Sequence, residues 1–148
     1  MATLKYLVIH CSDTPAGREI FKKNIEQWHI EENGWSRVGY SDLIHLDGTI
    51  TNLIEFDQDD TVDNWEISNG AKGYNGVARH VCYSGGAHGV DTRTQSQKYA
   101  LEIYVKYMLL RYPKIKVVGH NQLSNKKCPS FNVAMWLRSI GITNENIL

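Results

Sequence analysis

Leu4 to His10 contains an unbroken apolar stretch, Tyr6-Leu7-Val8-Ile9, and ends on a histidine. A short apolar run rich in β-branched and aromatic residues reads as a buried strand. The His-Cys-Ser-Asp-Thr-Pro that follows is a loop, because Pro15 stops further pairing. A buried strand exists only inside a sheet covered by other elements, so the rest of the chain must supply them.

It does so in a regular order. Residues 18 to 33 predict a helix with Phe21, Ile25 and Trp28 on one face and Gly34 as the stop. Asp42 to Leu46 and Thr49 to Ile54 flank Asp47-Gly48, which predicts a hairpin with a type I′ turn. Residues 55 to 76 hold no period and read as a long surface loop. Five aspartates or glutamates lie between Glu55 and Asp63. Val77 to Tyr83 is a further strand. Thr94-x-x-Gln97 is a capping-box pattern opening a helix that carries Leu101, Tyr104, Val105 and Met108, and Pro113 ends it. Ile115 to Val118 is a short strand, and 131 to 140 is a last helix with Val133, Trp136, Leu137 and Ile140 on one face. This order predicts an α/β fold, a single domain over residues 1–148 with a central mixed β-sheet flanked by α-helices.

The whole-chain numbers exclude several function classes. Lysine plus arginine is 16 and aspartate plus glutamate is 16, so no nucleic-acid partner is expected from bulk charge. No apolar run approaches the roughly 20 residues that span a bilayer, so no membrane insertion is expected. The Met1–His10 segment lacks an h-region and a cleavage site. The expectation is a monomer made in the cytoplasm without a signal peptide. Cys11, Cys82 and Cys128 form an odd set without CxxC spacing, which points to metal binding or burial rather than disulfides.

The polar residues at strand ends carry the chemical argument. His10 closes the first strand and His120 closes the strand beginning at Ile115. Sites in open sheets form outside the carboxyl ends of strands. Cys128 follows His120 by eight residues across a polar loop. Two imidazoles and one thiolate make a three-ligand zinc set that leaves a position for water. Such a centre keeps a net positive charge and can acidify water or polarise a carbonyl. Hydrolysis also needs a proton-handling group and an oxyanion donor. Tyr40, beside Gly39, can present its hydroxyl, and Lys126 lies two residues before Cys128. On spacing alone the plainer reading prevails for each: buried histidines, a core cysteine, a strand tyrosine and a solvated lysine.

The motifs in sequence change that reading. His10-Cys11-Ser12, Gln27-Trp28-His29, Asn33-Gly34-Trp35, Val38-Gly39-Tyr40, Asp47-Gly48-Thr49, Ala71-Lys72-Gly73-Tyr74-Asn75, Val81-Cys82, Gly85-Gly86, Gly119-His120 and Lys126-Lys127-Cys128-Pro129-Ser130-Phe131 occur in this order. Together, from about residue 5 to residue 138, they resemble the type 2 N-acetylmuramoyl-L-alanine amidases, which include short phage endolysins and animal peptidoglycan recognition proteins. The resemblance implies one Zn²⁺ per chain on His10, His120 and Cys128, with Tyr40 and Lys126 catalytic. It implies substrate contacts from Trp35, Tyr74 and Asn75, and cleavage of the muramic acid–L-alanine amide in bacterial peptidoglycan. The enzyme would act on the cell wall after release or non-classical export.

Two other classes are kept beside this one. A non-catalytic peptidoglycan-binding module would lack the cysteine ligand, which is present here. A cysteine or serine hydrolase would use Cys11 or Ser12 with a histidine.

The chain departs from the family pattern in places. Relatives often carry a histidine just before Ala-Lys-Gly-Tyr-Asn, where this chain has Gly70. Their Ser-Ile-Gly-Val stretch is replaced by Val77-Ala78-Arg79-His80-Val81, and Ser41-Asp42 replaces the usual His-Phe after Tyr40. The acidic segment 55–70 has two readings: a solvated loop, which is the plainer one, or a charged wall along the cleft that selects among stem peptides. His29 is expected to be structural and His45 and His88 solvated, while for His80 a place near the cleft and plain strand packing stand side by side.

Overall fold

The computed structural model describes residues 2–148. Its strands are β1 (Ala2–Thr3), β2 (Tyr6–Cys11), β3 (Asp42–Ile44), β4 (Ile50–Asn52), β5 (Thr61–Val62), β6 (Ala78–Tyr83) and β7 (Lys116–Gly119). β2 is the buried strand expected at Leu4–His10. It pairs in parallel with β6 on one edge and β7 on the other. β3 joins β6 in parallel and β4 joins β3 antiparallel, giving the order β4-β3-β6-β2-β7. This is the mixed sheet the sequence predicts. A separate ribbon pairs β1 with β5.

Alternation along β2 divides the core. Leu7, Ile9 and Cys11 join Val81, Tyr83 and Val117 in an apolar layer. Helices α2 (Gln95–Arg111) and α3 (Val133–Ser139) cover it with Leu101, Val105, Met108, Val133 and Leu137. Val8 and His10 face the opposite way. There Val8 packs with Ala78 and Val118, and Ile25 of α1 (Lys22–Glu26) packs with Leu43 and Cys82. Each fully buried Leu, Ile or Val stabilises by roughly 1.5–3 kcal/mol, so the α2–α3 layer holds the sheet together.

The first helix differs from its predicted 18–33 span. Phe21 has an extended backbone and is half exposed, and its N–H donates to the Asn24 side chain. The helix therefore starts at Lys22. From Gln27 to Glu32 it widens into a π-helical turn, closed by the Asn33 N–H on Trp28 O at 3.1 Å. Wide turns of this kind are common next to functional sites. Here Trp28 packs on the Ile25 cluster while the next residue, His29, is also buried.

Three further expectations are corrected. The hairpin turn is not type I′. Among the described residues Asp47 is not one of those with positive φ, whereas Gly48 has φ 87°. The Gly48 N–H donates to His45 O, and the Asp47 carboxylate accepts the Thr49 N–H and hydroxyl. This is a three-residue loop with a left-handed glycine in its last place. A Cβ at Gly48 would also lie 2.8 Å from Ser96 O. His45 is buried rather than solvated, between the Thr51 hydroxyl at 2.6 Å and Glu19 at 3.3 Å. The segment 55–76 is not structureless, because it contributes β5 and short 3₁₀ turns. Buried Glu66 accepts the N–H groups of Asp57 and Asp63, and Asp59 accepts that of Thr61. Its acidic groups tie down their own backbone. No helix is long and apolar enough to cross a membrane among the described residues.

The capping box at the start of α2 forms as predicted and does more than cap. The Gln97 carbonyl accepts the Thr94 N–H, while its amide donates to Ile44 O and Ser84 O at the ends of β3 and β6. Gln97→Met keeps the volume but takes the partner from the Ser84 carbonyl and the Thr94 N–H, while Ile44 O keeps the Ser84 N–H. We expect a loss of about 2–3 kcal/mol in urea unfolding, and a change within 0.5 kcal/mol, roughly that of a surface substitution, would contradict it.

Candidate metal centre and its cleft

β2 and β7 end side by side, which brings His10 and His120 together with ring centroids 4.7 Å apart. The segment after β7 makes a 3₁₀ turn over His120–Gln122, and the Ser124 hydroxyl donates to His120 O. It returns to place Cys128 Sγ 3.6 Å from His10 Nδ1. Tyr83 and Ser130 anchor this return, through hydrogen bonds to Pro129 O and Gly86 O at 2.7 Å each. The ligand atoms of His10, His120 and Cys128 all lie within 4.8 Å of one another.

The electrostatics suits a cation held by neutral imidazoles. Burial, with His80 and His120 alongside, holds His10 well below the ordinary imidazole value. Burial and the charge of Lys126 lower His120. The Cys11 N–H donates to Cys128 Sγ at 3.2 Å. A hydrogen bond to Cys128 lowers the Cys11 thiol to about 7, while that shared bond and burial push Cys128 up. A divalent cation held by the three donors would take Cys128 as a thiolate, since a coordinating thiol is deprotonated outright.

A cavity of about 540 Å³ opens over the three donors, lined also by Tyr40, His29, Trp35 and Lys126. A second, of about 590 Å³, shares Trp35, Asn69, Gly70, His120 and Lys126 with it and extends to Asn75. The two form one groove running past the donor group. The Tyr40 hydroxyl donates to Cys11 O at 3.4 Å, and its ring lies 5.2 Å from that of His10. Burial first, then the neighbouring thiols, keep this hydroxyl protonated by raising it well above its usual range. Trp35 stacks on His29 and stays partly exposed to the groove.

Other residues fall elsewhere. Tyr74 sets its ring edge-on to Tyr6 at 5.6 Å and lines neither cavity. Asn75 uses its carbonyl oxygen inside the protein, on the Ala71 N–H and His80. Of the segment 55–70 only Asn69 and Gly70 line the groove. Glu55 faces a separate depression beside Arg79 and Tyr104. None of the carboxylates of this segment lines the groove, and Asp57 and Asp59 accept N–H groups of their own loop. The Ser12 hydroxyl bonds to Thr14 and the Gly85 N–H, and Cys11 to Gly86 O and Ser130, so neither has a histidine base. Exposed His88 sits on the rim, as the solvated residue expected of it. His80 is the residue that local sequence reasoning left aside. Its Nδ1 lies 2.8 Å from His10 Nε2.

Fold and site together are those of a hydrolase domain carrying three donors for a metal. The chain belongs to the N-acetylmuramoyl-L-alanine amidase family, which it matches over residues 1–131. The endolysin of Enterobacteria phage K11 is 33% identical over 138 residues, covering 88% of this chain and 83% of that one. The endolysin of Escherichia phage T7 is 31% identical over 137 residues, with the same coverage. The N-acetylmuramoyl-L-alanine amidase LysC from Clostridium intestinale has the same fold, with a TM-score of 0.75 at 20% identity, over 96% of this chain and 88% of that one. So does Drosophila PGRP-LB, with a TM-score of 0.76 at 22% identity over 97% and 85%.

The floor of the groove predicts a pH dependence of stability. Burial holds His29 at about 4, and its Nδ1 already accepts the Gly39 N–H at 2.8 Å. In the unfolded chain a histidine titrates near about 6.5, so the unfolded state takes up this proton first on acidification. The contribution of neutral His29 is complete above about pH 7 and is lost as pH falls from about 6.5 toward 4. Urea unfolding of metal-free protein should show this fall, and His29→Gln should make it shallower, with His10, His80 and His120, which burial also lowers, keeping the remainder. Equal slopes in the two proteins would remove His29 from the account.

Proposed function

We propose that this chain is a zinc-dependent hydrolase that cleaves the amide bond between N-acetylmuramic acid and L-alanine in bacterial peptidoglycan. The observation that carries this reading is the convergence of His10, His120 and Cys128 on one point at the floor of an open groove. Two neutral imidazole nitrogens and one sulfur are a zinc donor set, and the groove leaves a fourth side for water or substrate. Membership of the amidase family and the phage endolysin relatives support the same reading. Cys128 weighs against a module that only binds.

Zinc held there would act as a Lewis acid and lower the pKa of a bound water. The chain's own groups do the rest. Tyr40 offers a protonated hydroxyl beside His10, suited to hydrogen-bonding the oxygen on which negative charge develops. Lys126 places its positive charge beside both histidines and offsets that charge in the transition state. Trp35 and Lys126 stand where the two arms of the groove meet, so a polymer crossing the donor group passes both. Trp35 gives an apolar face to sugar or peptide, and Asn75 lines the far arm. Tyr74 has no place in this arrangement beyond supporting Tyr6.

Purified protein should contain close to one zinc per chain by elemental analysis. It should release peptides with a free N-terminal L-alanine from peptidoglycan, and a chelator should stop it. Full zinc content in Cys128→Ala would overturn the ligand assignment. Tyr40→Phe and Lys126→Ala should each lower kcat by about 10²–10³ with little change in KM. A rise confined to KM would make them binding groups instead.

A further inference from the structure

His80 is fully buried in the middle of β6, and its two ring nitrogens are both engaged. The proton on each atom can be assigned from one backbone amide. The Ala71 N–H donates to Asn75 Oδ1 at 2.9 Å, which fixes which end of that amide faces inward. An amide oxygen only accepts, so His80 Nε2, 3.0 Å away, carries a hydrogen. Burial favours a neutral ring, so His80 Nδ1 is a lone pair. His10 Nε2, 2.8 Å from that lone pair, is then the donor. This leaves His10 Nδ1 unprotonated on the opposite side of its ring, 3.6 Å from Cys128 Sγ.

The geometry points to His80 as a positioning residue for the candidate ligand His10: by accepting the Nε2 hydrogen it holds His10 in the tautomer and plane that offer Nδ1 to a metal. Metal-binding histidines commonly depend on an acceptor for their second N–H, and it fixes ring orientation and raises basicity. Here the acceptor is another imidazole, itself fixed by Asn75. The backbone has been cleared for it. A Cβ at Gly70 would lie 2.5 Å from His80 Nδ1 and 2.4 Å from Gly39 O, so only glycine at 70 leaves room for this ring. The pairing of Val8 with His80 across β2 and β6 sets the ring one step along from His10 on the same face.

This inference rests on the metal reading above, and two measurements separate them. The first is zinc affinity, by competition with a chromophoric chelator, for wild type, His80→Leu and His80→Gln. The second is the tautomer of His10 in metal-free wild type, from ¹⁵N–¹H imidazole correlations, which needs no metal. We expect His10 to carry its hydrogen on Nε2. His80→Leu should weaken zinc binding about 10–100-fold. His80→Gln can accept from His10 and donate to Asn75, and should stay within a few-fold of wild type. Wild-type affinity in a folded His80→Leu protein would overturn the role, as would equal loss in both variants, which marks packing alone. A hydrogen on His10 Nδ1 in wild type would overturn it even if His80→Leu fails to fold. Absence of zinc binding in wild type would sink the metal centre, while the tautomer would still report whether His80 governs His10.

Discussion

β2 lies between β6 and β7 with Val8 opposite both His80 and Val118. A shift of one residue in this register would turn His10 into the α2–α3 layer and Leu7 and Ile9 out of it. Those residues are fully buried, so the slip would forfeit several kcal/mol of apolar burial. The position of a polar donor is thus enforced by the apolar residues beside it. The same register sets His120 at the end of β7 and His80 next to His10. The site needs no stabilising energy of its own, since the layer on the far side of the sheet supplies it.

Much of this was legible because it is local. The strand at Leu4–His10, the capping box at Thr94 and Gln97, and the two histidines at strand ends are each visible within a few residues. What escaped depends on distant contacts. His80 and His10 are seventy residues apart, and only the β2–β6 register makes them neighbours. The π-helical turn that buries His29 beside the packed Trp28 leaves no regular period for it to be read from. His45 looks like any hairpin histidine until Glu19 arrives from the segment before α1. The turn at Asp47-Gly48 shows the limit of dipeptide rules. There the aspartate side chain binds its own backbone, which favours a longer loop over the tight one.

The acidic segment illustrates how charge can mislead. Five carboxylates in nine residues suggest a charged surface facing a ligand. Asp57 and Asp59, with Glu66 just beyond them, instead accept N–H groups of their own loop, and Arg111 and Tyr107 of α2 hold Gln58 from outside. Backbone groups away from water must find partners, and short acidic side chains are the partners this loop contains. The groove draws its charge from Lys126 and Lys127 instead.

The close approach at Gly70 ties two positions together. The first carbon of a side chain there would overlap both the Gly39 carbonyl and the His80 ring, so residue 70 cannot grow unless the backbone and the ring both move. The room beside His10 is thus shared between a loop and a strand, and an atom gained by one is space taken from the other.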